Sequence, residues 1–242
     1  MIVSKRTLAI AFILFFFDTV AYKIGDFLNE LIKSGYKTSY PLSMFTLTFE
    51  HVSMVLVATL ASVVVGVALG ILATRSFGKR LFYPINLISS ISQSFPPLAV
   101  LALAVTSLGF GIKPTIVALF IYGLFPIIQN TIGGIISIDK SVREVSVGMG
   151  MSEFDLLFKV ELPLALGSIL SGIRISTVIN IGVAAIGAVV GAGGLGALII
   201  SGLINENQFF IAYGTVSVAI LAVLFDSIIG DIERKVAFNI VD

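Results

Sequence analysis

Long apolar runs restrict this chain more than any other feature of it. A helix that crosses a bilayer needs roughly 20 mostly apolar residues. The sequence offers six such runs: Thr7 to Tyr22, His51 to Thr74, Leu81 to Leu108, Pro114 to Ile136, Leu164 to Val190 and Phe209 to Gly230. Hydrophobic residues make up 57% of the chain and charged ones 12%, against about 45–50% and about 25% in an ordinary soluble domain. Glycines and prolines interrupt the runs, which transmembrane helices tolerate. The expected fold class is all-α: a polytopic membrane helix bundle of about six transmembrane helices with a cytoplasmic helix-turn-helix loop.

Lysine and arginine predict the orientation. Lys5, Arg6, Arg75, Lys79, Arg80, Lys140, Arg143, Lys159, Arg234 and Lys235 fall on one side of the six-span arrangement, and Lys23, Lys33, Lys37 and Lys113 on the other. The excess places both termini in the cytoplasm. Lys5-Arg6 before an apolar core also fits a signal peptide. Asp18 and Tyr22 stand where small cleavage-site residues would be needed, so the first run reads as a retained span. If it were cleaved, five spans would remain. The division expected is an N-terminal span and outer loop over 1–45, a transmembrane domain over 46–235 and a cytoplasmic tail over 236–242.

One stretch breaks the apolar pattern: Arg143 to Pro163, "REVSVGMGMSEFDLLFKVELP". Ser141-Val-Arg-Glu144 fits a capping box and predicts a helix start at Ser141. Val142, Val145 and Met149 recur at helical spacing. Gly150 can take the positive φ that ends a helix. Ser152 is a second candidate cap, and Phe154, Leu157 and Phe158 line a second short helix. Pro163 disfavours helix at Leu162 and is expected to open the fifth span. The result is helix, turn, helix at the cytoplasmic surface. Its apolar side suits a protein groove or, alternatively, the surface of the bilayer.

These residues resemble the cytoplasmic motif of permease subunits from binding-protein-dependent ATP-driven importers. That motif runs Glu-Ala-Ala, three residues, Gly, nine residues, Ile, any residue, Leu-Pro. The chain has Glu144-Val145-Ser146, Gly150 and Val160-Glu161-Leu162-Pro163, with both spacings kept. "FPPLAVLALAV", "LGFGIKPTIVALFIYGLFPIIQNT", "ELPLALGSILSGIRISTVINIG" and "VGAGGLGALIISGL" resemble the branch that imports glycine betaine, choline and carnitine. The likeness spans roughly residues 50 to 235. It implies that the short cytoplasmic helices fit a cleft on an ATPase subunit, with Glu144, Gly150, Leu162 and Pro163 shaping that element. From the apolar spacing, Met149, Met151, Phe154 and Phe158 are the candidate contact surface. The resemblance further implies two ATPase subunits, a second permease chain (identical or related), an extracytoplasmic binding protein, and a bacterial or archaeal cytoplasmic membrane as the site. Sister families with the same motif carry methionine and other small polar solutes, so the solute stays open.

The chain offers no energy source of its own. "ATRSFGKR" misses a phosphate-binding loop at Ala73 and Arg80. "GAGGLG", Gly191 to Gly196, spells a dinucleotide fingerprint, but an apolar span precedes it and no acid follows about 20 residues on. The better reading is a set of glycines that break the helix and turn at the outer face. By resemblance Gly191, Gly193 and Gly194 lie near the substrate path. No catalytic residue, cofactor or metal is expected: cysteine is absent and His51 is the single histidine. A net charge of +1 argues against nucleic acid.

Ion-coupled transport would need buried ionisable groups. Asp18, Arg174 and Asp226 are the candidates, and the positions of the last two allow them to pair. The fifth span repeats small or polar residues at Ser168, Gly172, Ser176, Asn180, Ala184 and Ala188, and the second at Ala58, Ser62, Gly66 and Gly70. Such stripes serve close helix packing. In the fifth span they could instead line the path, with Ser176 and Asn180 foremost. A quaternary ammonium ion favours an aromatic cage, yet Phe95, Phe110, Tyr122, Phe125 and Tyr213 are scattered and tryptophan is absent. Selectivity is therefore expected mainly on a separate binding protein. A self-sufficient ion-coupled carrier and an intramembrane enzyme are the competing classes.

Overall fold

The computed structural model describes residues 4, 7–10, 12, 23, 43–75 and 79–241. Most of the first expected span, with Lys5, Arg6, Asp18, Lys33 and Lys37, lies outside these. From Ser43 onward the described chain is helical in nine pieces: α1 Met44–Thr74, α2 Lys79–Ser94, α3 Pro97–Leu108, α4 Ile112–Ile136, α5 Lys140–Gly148, α6 Glu153–Leu156, α7 Leu162–Gly187, α8 Gly196–Ile204 and α9 Gln208–Val241. A π turn, Leu157–Glu161, joins α6 to α7, and a 3-10 turn, Ala188–Val190, follows α7. Among the described residues, four helical segments are long and apolar enough to cross a membrane: Met44–Thr74, Ile112–Ile136, Glu153–Val190 and Gln208–Val236.

The expected third span is broken. Phe95 and Pro96 separate α2 from α3, and Pro97 opens α3. Two adjacent prolines remove two N–H donors and push the residue before them out of helical geometry. The freed carbonyl of Phe95 accepts a hydrogen bond from the Tyr122 hydroxyl of α4. Gln93 Nε2 donates to the Tyr122 carbonyl at 2.8 Å, closing the joint from the other side. The expected boundary at Pro163 is also absent. The chain runs helically from Glu153 to Val190, because the π turn supplies a wider loop just before the proline. Leu162 N–H bonds the Leu157 carbonyl, five residues back. An extra residue in the turn relieves the crowding a proline ring causes in a regular α-helix.

α1, α4 and α7 form the centre of the bundle, with α9 against α7 and α8, and α3 against α4. The second-span stripe faces α4: Ala58, Ser62, Gly66 and Gly70 are all buried. A Cβ on Gly66 would fall 2.9 Å from Ile127 Cγ2, and one on Gly70 2.6 Å from Thr131 Cβ. A Cβ on Gly172 of α7 would fall 2.8 Å from the Pro126 carbonyl oxygen in the backbone of α4. Helices in lipid gain little by burying apolar surface against each other, so close approach and dispersion carry the association. Leu47, Met54, Leu119, Ile181, Leu195 and Leu198 fill the remaining core.

Beyond the 3-10 turn, Gly191, Gly193 and Gly194 all have positive φ (79°, 80° and 68°). The helix breaks at these glycines, and the chain re-enters as the short apolar α8. The Gly194 N–H donates to Glu50 Oε2 at 2.9 Å, tying this turn to α1.

Candidate functional site

The motif lies on α5, α6, the π turn and the first residues of α7. Asp139, rather than Ser141, caps α5: its carboxylate accepts the Ser141 N–H at 2.9 Å. Asp precedes Ser in the chain and meets the N2 amide directly, so the capping-box register lies two residues earlier than Ser141 suggests. The hydrogen bonds from Ser141 hold the exposed Asp139 carboxyl below the usual carboxylate range. α5 ends at Gly148, and the Met149 and Gly150 N–H groups bond back to the Val145 and Val147 carbonyls. Gly150 has φ +83°, with nothing within 4 Å of a Cβ there. Only backbone strain, not crowding, therefore favours glycine at this position. Ser152 caps α6, accepting from the Asp155 N–H at 3.1 Å.

The surface that results is apolar and uncovered within the chain. Phe154 is 70% exposed and packs its ring 4.4 Å from that of Phe158, which is itself half exposed. Val145, Val147 and Met149 are exposed on α5; Met151 is intermediate, Leu162 half-buried, and Glu144 and Pro163 exposed. Burying one such phenylalanine is worth roughly 1.5–3 kcal/mol. Glu153 and the Asp155–Lys159 ion pair, at 2.5 Å, lie on the same two turns as the phenylalanines.

Sequence reasoning passed over one residue here. Glu161 fills the unrestricted position of the motif, yet it is 1% exposed and ion-paired twice. One oxygen meets Arg75 Nη2 at the end of α1, and the other lies 3.1 Å from Arg143 Nη2 of α5. Arg143 also donates to the Ile135 carbonyl of α4 at 2.7 Å. A polar residue between Val160 and Leu162, at the head of an apolar span, was the available signal.

The other candidates sit deeper. Ser176 and Asn180 are fully buried between α1, α4 and α7. Asn180 Nδ2 donates to Thr59 Oγ1 at 3.0 Å, while Ser176 Oγ and Asn180 Oδ1 have no hydrogen-bond partner. Gly123 of α4 makes room for them: a Cβ there would meet Ser62 Oγ at 2.7 Å and Ser176 Oγ at 2.8 Å. His51, inside α1, reaches the Ile181 carbonyl through Nε2 at 3.0 Å. Arg174 and Asp226 do pair. Among the described residues no cluster of metal-ligating side chains forms.

Comparison with known proteins bears on this architecture. Residues 66–237 match the family described as binding-protein-dependent transport system inner membrane component. The chain is 40% identical over 190 residues to the glycine betaine/carnitine/choline transport system permease protein OpuCD of Bacillus subtilis, covering 78% of this chain and 82% of that one. It is 41% identical over 188 residues to the choline transport system permease protein OpuBB of the same organism, covering 78% and 86%. The carnitine transport permease protein OpuCD of Listeria monocytogenes is 38% identical over 212 residues, covering 86% and 92%. Among solved structures, a chain of the MetNI methionine ABC transporter in inward-facing form superposes with TM-score 0.72 at 25% identity, over 80% of this chain and 95% of that one. The matched stretch includes the break at Pro96–Pro97 and the helix-turn-helix of α5 and α6, and the chain belongs to the family of inner-membrane permease components of binding-protein-dependent transport systems.

Proposed function

We propose that this permease carries a quaternary-ammonium osmoprotectant (glycine betaine, choline or carnitine) into the cytoplasm, driven by ATP hydrolysis on partner subunits. The relatives that support this reading are named for those solutes and share about two residues in five with the chain. The methionine transporter shares about one in four, which favours the osmoprotectants. Two permease chains, identical or related, form the path. Two ATPases dock below, and an extracytoplasmic binding protein selects the solute. Residues 46–235 form the transmembrane domain and 236–242 a cytoplasmic tail. Both termini lie in the cytoplasm, in keeping with the lysine and arginine excess. Thr7 Oγ1 hydrogen-bonded to Asp231 at 2.6 Å supports a shared side for the two chain ends.

The observation that carries the coupling role is the uncovered apolar foot formed by Met149, Met151, Phe154 and Phe158 beside Glu144 and Gly150. Its aromatic anchors on a short helix, flanked by charge, suit a groove in a folded partner. The ionisable groups within the spans give an ion-coupled carrier less support, since Arg174 and Asp226 neutralise each other.

The test is uptake of labelled glycine betaine by cells lacking their own betaine transport and supplied with this chain, its ATPase and its binding protein. Uptake should require the ATPase and be competed by choline or carnitine but not by methionine. Competition by methionine alone would overturn the solute. Uptake that follows an ion gradient without the ATPase would overturn the transporter class.

A further inference from the structure

The foot has two halves: Phe154 and Phe158 continue helically into α7, whereas α5 is weakly attached to the bundle. α5 has no extended packing against any spanning helix. Its chain links are short turns, residues 137–139 on one side and 149–152 on the other, the second containing Gly150 at positive φ. Both turns are held by local hydrogen bonds, such as Ser137 N–H to Gly133 and Met151 N–H to Ser146, which do not reach the other spanning helices.

Side chains supply the stiff link. Arg143 leaves α5 and reaches Glu161 Oε1 at 3.1 Å and the Ile135 carbonyl at 2.7 Å. That carbonyl belongs to the last turn of α4, where helical acceptors go unpaired. Glu161 Oε2 takes Arg75, the residue that ends α1. One buried carboxylate therefore gathers the inner ends of α1, α4 and α5 onto the π turn that begins α7. Two cations on one anion leave each arginine Nε buried without a partner. An ion cluster so costly to bury is weak evidence for stability, since apolar side chains often replace such groups without loss. A mechanical role accounts for it better. π turns inside helices also concentrate at functional positions.

We infer that Glu161 is a positioning residue for energy coupling: through Arg143 and Arg75 it makes α5, the first half of the foot, move as one body with the inner ends of α1, α4 and α7. This rests on the docking role proposed above for the foot.

The experiment uses the full complex of this permease with its ATPase. The chain has no cysteine, so Lys140→Cys on α5, outside the apolar docking surface, and Ala68→Cys on α1 can carry a spin-label pair. Excess unlabelled chain keeps the measured distance within one permease. Distances are recorded without nucleotide and with ATP and vanadate, in the parent and in the variant Arg75→Met/Arg143→Met/Glu161→Leu, which replaces the cluster by apolar side chains. The parent should give the same narrow distribution in both states. In the variant the distance should shift with nucleotide by about 2 Å or more, the scale of helix displacement in switching proteins. A variant as invariant as the parent, or one broadened alike in both states, overturns the inference and leaves Glu161 a structural support. A parent that itself shifts overturns it as well. If the ATPase fails to co-purify with the parent, the docking role falls and the inference falls with it, a result distinct from the others.

Discussion

Arg174 of α7 donates two hydrogen bonds to the Asp226 carboxylate of α9, Nε to Oδ1 at 2.6 Å and Nη2 to Oδ2 at 2.7 Å. A third contact, to Glu233 at 3.4 Å, lies one to two turns further along α9. The pair is partly exposed within the chain, at 32% and 40% of the side chains. Losing one member of a fully buried pair costs about 3–5 kcal/mol and of an exposed pair under about 1. Arg174→Met should therefore destabilise the detergent-solubilised chain by about 2 kcal/mol. Asp226→Asn should cost less, because Glu233 remains for Arg174. A double-mutant cycle on melting temperature checks this; strictly additive losses would mean the two residues act separately.

Glycine positions separate crowding from propensity. Gly123→Ala drives a methyl group against Ser62, Ser176 and Asn180 and should cost about 1–3 kcal/mol. Gly148→Ala, in the last turn of α5 with nothing within 4 Å, should be neutral or stabilising by up to about 1 kcal/mol. The order of melting temperatures, Gly148→Ala above parent above Gly123→Ala, is the prediction; the reverse order would contradict the packing described.

The fold was readable where length alone decides. The second, fourth, fifth and sixth runs became α1, α4, α7 and α9, with most ends moved by a few residues to two turns, α9 running on from Gly230 to Val241 and α7 stopping at Gly187 rather than Val190. The third failed because a hydropathy run contains no record of the N–H groups that Pro96 and Pro97 lack. α8 was missed because nine residues are too few to register as a span. At the foot, Gly150 and Ser152 announced themselves by residue type. Glu161 did not: its partner Arg75 lies 86 residues away, and a long-range ion pair leaves no periodicity behind. Pro163 misled because the π turn that accommodates it has no compositional signature.

Ser176 tests the interior. Its hydroxyl is buried without a hydrogen-bond partner, so Ser176→Ala should leave stability unchanged or raise it by up to about 1 kcal/mol, an unsatisfied polar group being removed. Unaltered glycine betaine uptake would assign the position to helix packing. A fall in uptake at unchanged melting temperature would place Ser176 on the solute path.

Loss of the cap at Ser152 should be felt locally. Ser152→Ala removes the acceptor of the Asp155 N–H and should cost about 1 kcal/mol of helix stability at the start of α6. Hydrogen exchange at Asp155 and Leu156 should accelerate while exchange in α4 stays unchanged. Faster exchange throughout the bundle would contradict a local role.

The foot itself gives the most direct test. Phe154→Asp and Phe158→Asp each place a charge on the exposed aromatic pair without touching the bundle core. The measurement is co-purification of the ATPase with the permease, with the permease amount as the reference. Each variant should express normally and bind the ATPase at least about 10-fold more weakly, as expected for removal of an aromatic anchor. Undiminished ATPase binding by the double variant would contradict the account.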